Sequence, residues 1–535
     1  MIWLIRDIDL LSVILRAATL AFEALLLGGV AYLLAVARPS GASAAVEDLC
    51  RRGIRMAALA LAIGEVAMVT ASGALLMSGS DLTLRDVTTT SFFRAYSLVF
   101  LFALGLWICA RLKSNTATVA MLPLGILLIV ATVVSSHAAA RIDSRALLAI
   151  LTAAHHLGTA VWIGAMPYLL MSLGRVQNVD EARRMTERYS RMALLGASTL
   201  VLAGAGMAYF YVGTWSSLYT TAYGIMLLAK ICLLLMMVAL GAGNWFLVRR
   251  LATDPRPLLV RLRRVVEAEI CLGFLAILTA ASLTSQAPAV DVTALDRLTS
   301  HEIYVRLHPE PPRMSSPPLT ALAAPSTLEE AVKDSVFVAT VGSDDTDRAW
   351  SEYNHHWAGL IVLIAGLLAL LSRHRTMRWA RFWPLTFAGL AVFIVLRADP
   401  ENWPLGPRPF WQSFAAPDVL EHRVGALMIV LFAAFECAVQ AGKLKARWAT
   451  YVFPAMCALG AAMLLTHEHS AKDIKESLLA EMSHTPIALF GVAAGCSRWL
   501  ELRLPMSRIT TIAGYLWPVC LALVGLILLN YRELA

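Results

Sequence analysis

Charge is scarce in this chain of 535 residues: Asp, Glu, Lys and Arg make up 15%, against 58% hydrophobic residues. Soluble globular proteins carry roughly 25% charged and 45–50% apolar residues, so a water-soluble domain is excluded at the outset. Paired cysteines are missing too. Cys50, Cys109, Cys232, Cys271, Cys437, Cys457, Cys496 and Cys520 form no CxxC pair, which argues against a disulfide framework or a thiolate metal motif. Neither a GxxxxGK[ST] run nor the Asp-Lys-Thr signature of P-type pumps occurs, so transport driven directly by ATP has no sequence support. The HExxH zincin pattern is absent, because His469 follows His467-Glu468 at once. No nucleophile–base spacing is visible and no enzyme is expected. Runs of alternating barrel type are lacking as well. The spanning elements must therefore be helices that satisfy their own backbone hydrogen bonds. The N-terminus has acidic residues before its first apolar run and no small-residue cleavage site, so the first helix is read as retained.

What the chain does have is a succession of long apolar runs. They fall at 12–37, 53–78, 91–112, 116–136, 145–173, 189–214, 219–248, 262–285, 354–372, 380–398, 419–440, 447–466, 484–500 and 510–531. Runs of this length cross a hydrocarbon core of about 30 Å, which predicts an all-α, polytopic transmembrane helical bundle with about 14 spans. The formal charge of +8 is distributed as an orientation signal rather than as a nucleic-acid surface. Basic clusters occupy alternate loops: Arg51, Arg52 and Arg55; Arg183, Arg184, Arg188 and Arg191; Arg249, Arg250, Arg261, Arg263 and Arg264; Arg373, Arg375, Arg378 and Arg381; Lys443, Lys445 and Arg447. By the positive-inside rule these loops are cytoplasmic, and both termini are periplasmic, as in a bacterial inner-membrane protein.

The segment 286–353 belongs to the other side, with eleven Asp/Glu against five Lys/Arg. It divides the chain into an eight-span part (1–285), a periplasmic linker or cap (286–353) and a six-span part (354–535). Within it, His301 to His308 alternates enough to predict a short strand.

On this topology only His374 of the twelve histidines is cytoplasmic. His137 closes the fourth span. His155 and His156 lie about 15 Å deep in the fifth, at 1.5 Å per residue. His355 and His356 open the ninth span, His422 opens the eleventh, His467 and His469 end the twelfth and His484 opens the thirteenth. Imidazole is the commonest metal ligand and an axial ligand of haem iron. A histidine at a helix end is often simply hydrogen-bonded to a loop carbonyl, but a one-sided set of eleven favours an ion-binding role. His155 and His156 point about 100° apart on a helix, so they address two neighbouring helices rather than chelating one ion. Thr466-His467-Glu468-His469-Ser470 could instead converge on one ion if extended, a short spacing suited to copper or zinc.

Other polar groups fall inside the spans. Glu23 and Glu65 lie near mid-membrane, where an unpaired carboxylate is costly; pairing with Arg16, proton relay and contact with a cation all remain open. Glu436 and Lys230 read as paired or snorkelling groups. Met56, Met68 and Met77 carry thioethers suited to Cu(I), although methionine is also ordinary core filler. Trp517-Pro518 and the loop Arg408-Pro409-Phe410-Trp411 read as interfacial anchors.

From the fifth span to the eighth the sequence resembles the CopD/PcoD copper-resistance membrane family. The residues that carry the resemblance are Arg145 through His155-His156-Leu157-Gly158-Thr159-Ala160-Val161-Trp162-Ile163-Gly164, then Arg188-Tyr189-Ser190, Thr221-Ala222-Tyr223-Gly224 running to Lys230, and Gly243-Asn244. The motif positions include Trp162, Tyr223, Lys230 and Asn244. The resemblance implies copper handling at the bacterial inner membrane: uptake from the periplasm alongside a periplasmic copper carrier of CopC type. The last 180 or so residues lie outside the resemblance, with outward histidines of their own.

Two classes of function follow. In the first, copper is captured by outer imidazoles and passes to His155 and His156, with Glu23 or Glu65 compensating charge and no resident cofactor other than Cu(I) or Cu(II). A related variant holds copper for assembly of another protein without transport. In the second, the histidines bind haem b for electron transfer, with His155 or His156 opposite His137 as one pairing. Copper import is the expected function.

Overall fold

In the computed structural model, residues 8–79, 83–136, 138, 141–176, 178–251, 255–317, 344–399, 402–406, 408–414, 417–466 and 474–533 are described. Among them the chain is helical throughout, and the only β pairing is an isolated bridge between Asn402 and Arg408. Twelve of the described helices are long and apolar enough to cross a membrane. Two expected spans fall short of that standard. The run at 380–398 is a helix of 13 residues, Leu385–Arg397, and the run at 484–500 lies inside Ile474–Arg503, whose ends are charged.

The chain forms two compact units, Met1–Arg297 with Leu465–Glu468 and, for the second, Leu298–Leu464 with His469–Ala535. In the first unit the long helices are α1 (Ile8–Tyr32), α2 (Ala44–Gly79), α3 (Ser91–Arg111), α4 (Asn115–Val134), α5 (Arg145–Thr159), α6 (Val179–Val212), α7 (Ala222–Arg250) and α8 (Pro255–Ser285). Several begin where a side chain satisfies an orphan backbone N–H. Thr90 accepts from Phe93, Ser114 from Ala117, Asn178 from Asp180 and Thr221 from Gly224. Helix α6 begins ten residues before the apolar run that marks it, because backbone bonding continues through the polar stretch from Val179.

Helix α1 packs against α2, α8 and the stretch that follows α5. That stretch is a π-helical turn, Ala160–Gly164, continued by the α-helix Met166–Leu173. The crossing with α1 is close. A Cβ on Gly164 would lie 1.8 Å from the Ala24 carbonyl oxygen, and one on Gly28 would lie 2.5 Å from that of Ala160. Only glycines allow the two backbones to approach this far. A π-turn shifts the register of the side chains on either side of it and often marks functional positions. Here it begins four residues after His156.

In the second unit the helices are α9 (Ser300–Leu307), α10 (Asp344–Leu371), α11 (Leu385–Arg397), α12 (Pro417–Gln440), α13 (Val452–Thr466), α14 (Ile474–Arg503) and α15 (Arg508–Leu529). Helix α15 packs along α10 and α14, and α11 packs against α12. The core gathers Trp383, Phe432, Phe453 and Trp517 with small residues such as Ala365 and Ala494. Trp517 is therefore a core residue, 3% exposed, with its Nε1–H donated to Glu501 at 3.0 Å. The expectation of an interfacial anchor is corrected at this position; Trp411, 81% exposed, remains consistent with it.

The strand expected at His301 to His308 is also corrected: the segment is α9. Thr299 and Glu302 form a reciprocal capping box at its start, and that local hydrogen-bonding pattern outweighs a loose alternation of apolar residues. The described parts of the expected cap fall in different units. Arg297 reaches back to Ser217 and Ala289 in the first, whereas Arg306 reaches Leu479 and Ser483 in the second.

Candidate metal site in the first unit

The first unit holds a half-open cavity of about 510 Å³. Its wall is apolar for the most part, and the exceptions include Arg16, Glu23, His155, His156, Tyr223 and Lys230. Two residues marked by the sequence as ion ligands, one mid-membrane carboxylate and two further motif residues thus share one space. The helices bring them there by ordinary periodicity. His155 and His156 lie near the end of α5, Glu23 lies on the face of α1 that crosses the π-turn, and Tyr223 and Lys230 are two turns apart on α7.

The two imidazoles turn to different neighbours. His155 Nδ1 lies 3.2 Å from the Leu200 carbonyl oxygen on α6, and His156 Nδ1 lies 3.1 Å from Glu23 Oε1 on α1. A carbonyl oxygen only accepts, so His155 carries its proton on Nδ1; an ionised Glu23 fixes the same tautomer for His156. Each ring is left with a lone pair on Nε2. Metal-binding histidines show this arrangement, one nitrogen donating to a carboxylate or carbonyl and the other free for the ion. Gly204 of α6 lies against the His155 ring, where a Cβ would come within 3.3 Å of Cε1.

Thioethers border the same cavity, but not the ones marked in the sequence. Met207 and Met237 line it, and Met207 Sδ accepts from Thr152 Oγ1 at 3.5 Å. Met56 is 74% exposed and Met77 41%, while Met68 is buried outside the cavity lining. Thr152 stands one turn before His155 and His156, a spacing that signals proximity only once α6 is known to pack beside α5.

Glu65 is 5% exposed, and its Oε2 has no hydrogen-bond partner. It lies within electrostatic reach of both Glu23 and Arg16. Lys230 has neither an ion pair nor a hydrogen bond among the described residues. The remaining motif residues meet at a carboxylate that the sequence reading passed over. Trp162 Nε1–H donates to Glu269 Oε1 at 3.1 Å and the Asn244 amide to Glu269 Oε2 at 2.7 Å. Tyr189, also a motif residue, donates its hydroxyl to the Trp162 carbonyl at 2.8 Å. Glu269 had the same signal as Glu23 and Glu65, an acidic residue well inside an apolar run.

The outer histidines do not collect into one site. In the second unit both nitrogens of His356 are engaged: Nδ1 accepts from the Arg313 backbone N–H at 2.7 Å, and Nε2 lies 2.9 Å from the Tyr531 carbonyl oxygen. Fully buried, it has no lone pair left for an ion, which corrects its assignment as a ligand in this conformation. His355 Nδ1 faces the Ser351 carbonyl oxygen at 2.8 Å while the ring stacks on Tyr531 at 3.7 Å. The His484 ring lies 6.4 Å from that of His355, and His422 Nδ1 is 2.8 Å from Asp399 Oδ1. His137, His467 and His469 lie outside the described residues. Among those described, no three His, Cys, Asp or Glu side chains gather as an ion-holding group. Glu436, 2% exposed, accepts from Gln440 on its own helix and does not snorkel.

Residues 183–283 match the family model described as CopD, Copper resistance protein D. The match runs from the start of α6 almost to the end of α8 and includes Tyr189, Tyr223, Lys230, Asn244 and Glu269; His155 and His156 lie outside it, on the preceding helix α5. The chain is also similar to the copper transport protein CutJ of Bacillus subtilis (strain 168), with 28% identity over 134 residues. That alignment spans 24% of this chain and 24% of the relative's length. No solved structure is a significant match. The resemblance to the CopD family read from the sequence is thus supported over residues 183–283, in a chain whose described residues include twelve helices long and apolar enough to cross a membrane.

Proposed function

We propose that this protein takes up copper from the periplasm and carries it across the bacterial inner membrane, with the metal resting on His155 and His156 during passage. One observation carries the reading: two adjacent imidazoles, each with Nδ1 tied to an acceptor, border one apolar cavity that thioethers also line. Imidazole and thioether together suit copper in its lower oxidation state, and nitrogen sites favour copper over other divalent ions. Supply by a CopC-type carrier and capture by the outer histidines belong to the same proposal, with His355 and His484, whose rings lie 6.4 Å apart, among them.

The protein's own groups divide the work. Glu23 orients His156 and fixes its tautomer. The Leu200 carbonyl does the same for His155. Glu65, with an unsatisfied oxygen, offers negative charge close to Arg16 and Glu23 when a cation enters. Lys230, a positive charge bordering the same space, limits how long a cation is held. Transport requires a site that binds well enough to be entered and weakly enough to be left.

The test is copper uptake into sealed vesicles together with metal analysis of the purified protein. His155→Ala and His156→Ala should each abolish uptake and lower the copper retained. Unchanged uptake and stoichiometry in both variants would overturn the proposal. A Soret band in the purified protein would transfer these histidines to haem b, and retained copper without uptake would make the protein a holding or assembly factor.

A further inference from the structure

The copper cavity has a floor, and behind that floor lies a carboxylate with no counter-charge. Ile163 of the π-turn and Met237 of α7 both line the cavity. They close on Gly273 of α8, where a Cβ would lie 2.6 Å from Ile163 Cγ2 and 3.4 Å from Met237 Cε. One turn further along α8 is Glu269, 4% exposed and absent from the cavity lining. It sits about 10 Å along the helix axis from Ala276 on the cavity wall, at 1.5 Å per residue.

The surroundings of Glu269 can be stated group by group. Trp162 from the π-turn donates to one carboxylate oxygen and Asn244 from α7 to the other. Gly241 of α7 leaves room beside Oε1, since a Cβ there would come within 3.3 Å of it. The Tyr189 hydroxyl from α6 approaches through the Trp162 carbonyl. No Lys, Arg or His among the described residues acts on this carboxylate, and the nearby Glu267 is paired with Arg264 on its own helix. Asn244, 8% exposed, keeps its Oδ1 without a partner.

Two neutral donors do not balance a buried negative charge; such a group takes up a cation or is neutralised. The available donors are oxygens, Glu269 Oε2 and Asn244 Oδ1, which suit hard cations and not soft Cu(I). Asn244 can also serve either state of the carboxylate. Its amide donates to the ionised form, and after a flip its Oδ1 accepts from a protonated one.

We propose that Glu269 and Asn244 form a binding site for a hard monovalent cation, a proton or a sodium ion, which is the ion coupled to copper movement. The coupling rests on the transport reading above, whereas the site itself does not. Copper occupies nitrogen and sulfur donors on one side of the Ile163–Met237 floor, and the coupling ion occupies oxygen donors on the other. The π-turn joins them, because His155, His156, Ile163 and Trp162 lie on one continuous stretch of chain.

Difference infrared spectroscopy on the purified full-length protein, without copper, tests the site directly. A carboxylic-acid carbonyl band should appear on acidification, or be displaced by sodium chloride but not by choline chloride, and Glu269→Gln should lack it. Response to pH alone identifies a proton site, and response to sodium identifies a sodium site. Trp162→Phe, which keeps the ring but loses the donated N–H, should retain the band and shift its pH midpoint upward. Absence of any Glu269-dependent response in either arm, in protein whose melting matches the wild type, overturns the site. In vesicles, Glu269→Gln should lose gradient-driven copper accumulation while keeping copper–copper exchange. Gradient-driven accumulation at the wild-type level in that variant overturns the coupling. A wild type that moves no copper overturns the transport reading and the coupling with it, leaving the infrared result to decide the site.

Discussion

His156 and Glu23 come from helices more than a hundred residues apart in sequence, yet Nδ1 and Oε1 lie 3.1 Å apart beside the cavity. The contact makes Glu23 a positioning residue for the imidazole. A carboxylate in that place typically strengthens metal affinity by about 10–100-fold. Glu23→Gln should therefore weaken copper binding by about that factor without abolishing it, whereas His156→Ala should remove the ligand altogether. Competition titration against a copper chelator distinguishes the two. Equal losses would mean that Glu23 itself binds the metal.

The same contact depends on how closely α1 and the π-turn approach. Gly164→Ala would place a methyl carbon 1.8 Å from the Ala24 carbonyl oxygen, next to Glu23 in sequence. Overpacking of this kind costs about 1–3 kcal/mol or more, and relief requires the helices to separate. The variant should melt lower and bind copper more weakly at once. Gly243→Ala is the matched control, because nothing lies within 4 Å of its added carbon. There the gain in helix propensity should stabilise by roughly 0.5–1 kcal/mol. If Gly164→Ala melts like the wild type, the close crossing is not what holds Glu23 against His156.

How much of this was legible in the sequence depends on the range of each interaction. The helices were legible because apolar runs and basic loops are local signals, and α5 followed its run from Arg145 onward. The divergence of His155 and His156 was legible from helical geometry alone. The partners were not, since Leu200, Glu23 and Met207 reach the histidines only through packing of α6 and α1 on α5. The methionines that stand out in the sequence are on α2, whereas those that line the cavity are on α6 and α7. Glu269 could have been marked by the rule that marked Glu65. His356 was misread for a different reason: a histidine opening a span looks the same in sequence whether its nitrogens face water or, as here, Arg313 and Tyr531.

His356 yields a prediction opposite to that for His156. It is fully buried with both nitrogens hydrogen-bonded, so His356→Ala leaves the buried Tyr531 carbonyl without its partner, at a cost of about 1–3 kcal/mol. Thermal melting should fall clearly while copper affinity stays at the wild-type value. Unchanged melting with reduced copper capture would restore His356 as an ion ligand.

The start of α9 should be sensitive to acid. The Thr299 backbone N–H donates to Glu302 Oε2 at 2.6 Å and Lys475 Nζ to Oε1 at 3.0 Å. These contacts, the Thr299 bond first, hold the Glu302 carboxyl below its usual range. A carboxyl depressed in the folded state stabilises the fold fully above its unfolded pKa, about 4.3 for glutamate. That contribution is lost as pH falls through the lower folded value. Hydrogen exchange in Ser300–Leu307 should therefore stay slow at neutral pH and accelerate in acid below about pH 4. Glu302→Gln should remove the carboxylate's part of this acid step. Lys475→Met should keep most of it, because the backbone donor of Thr299 remains. If Lys475→Met instead removes the acid step completely, the ion pair rather than the helix cap controls this segment.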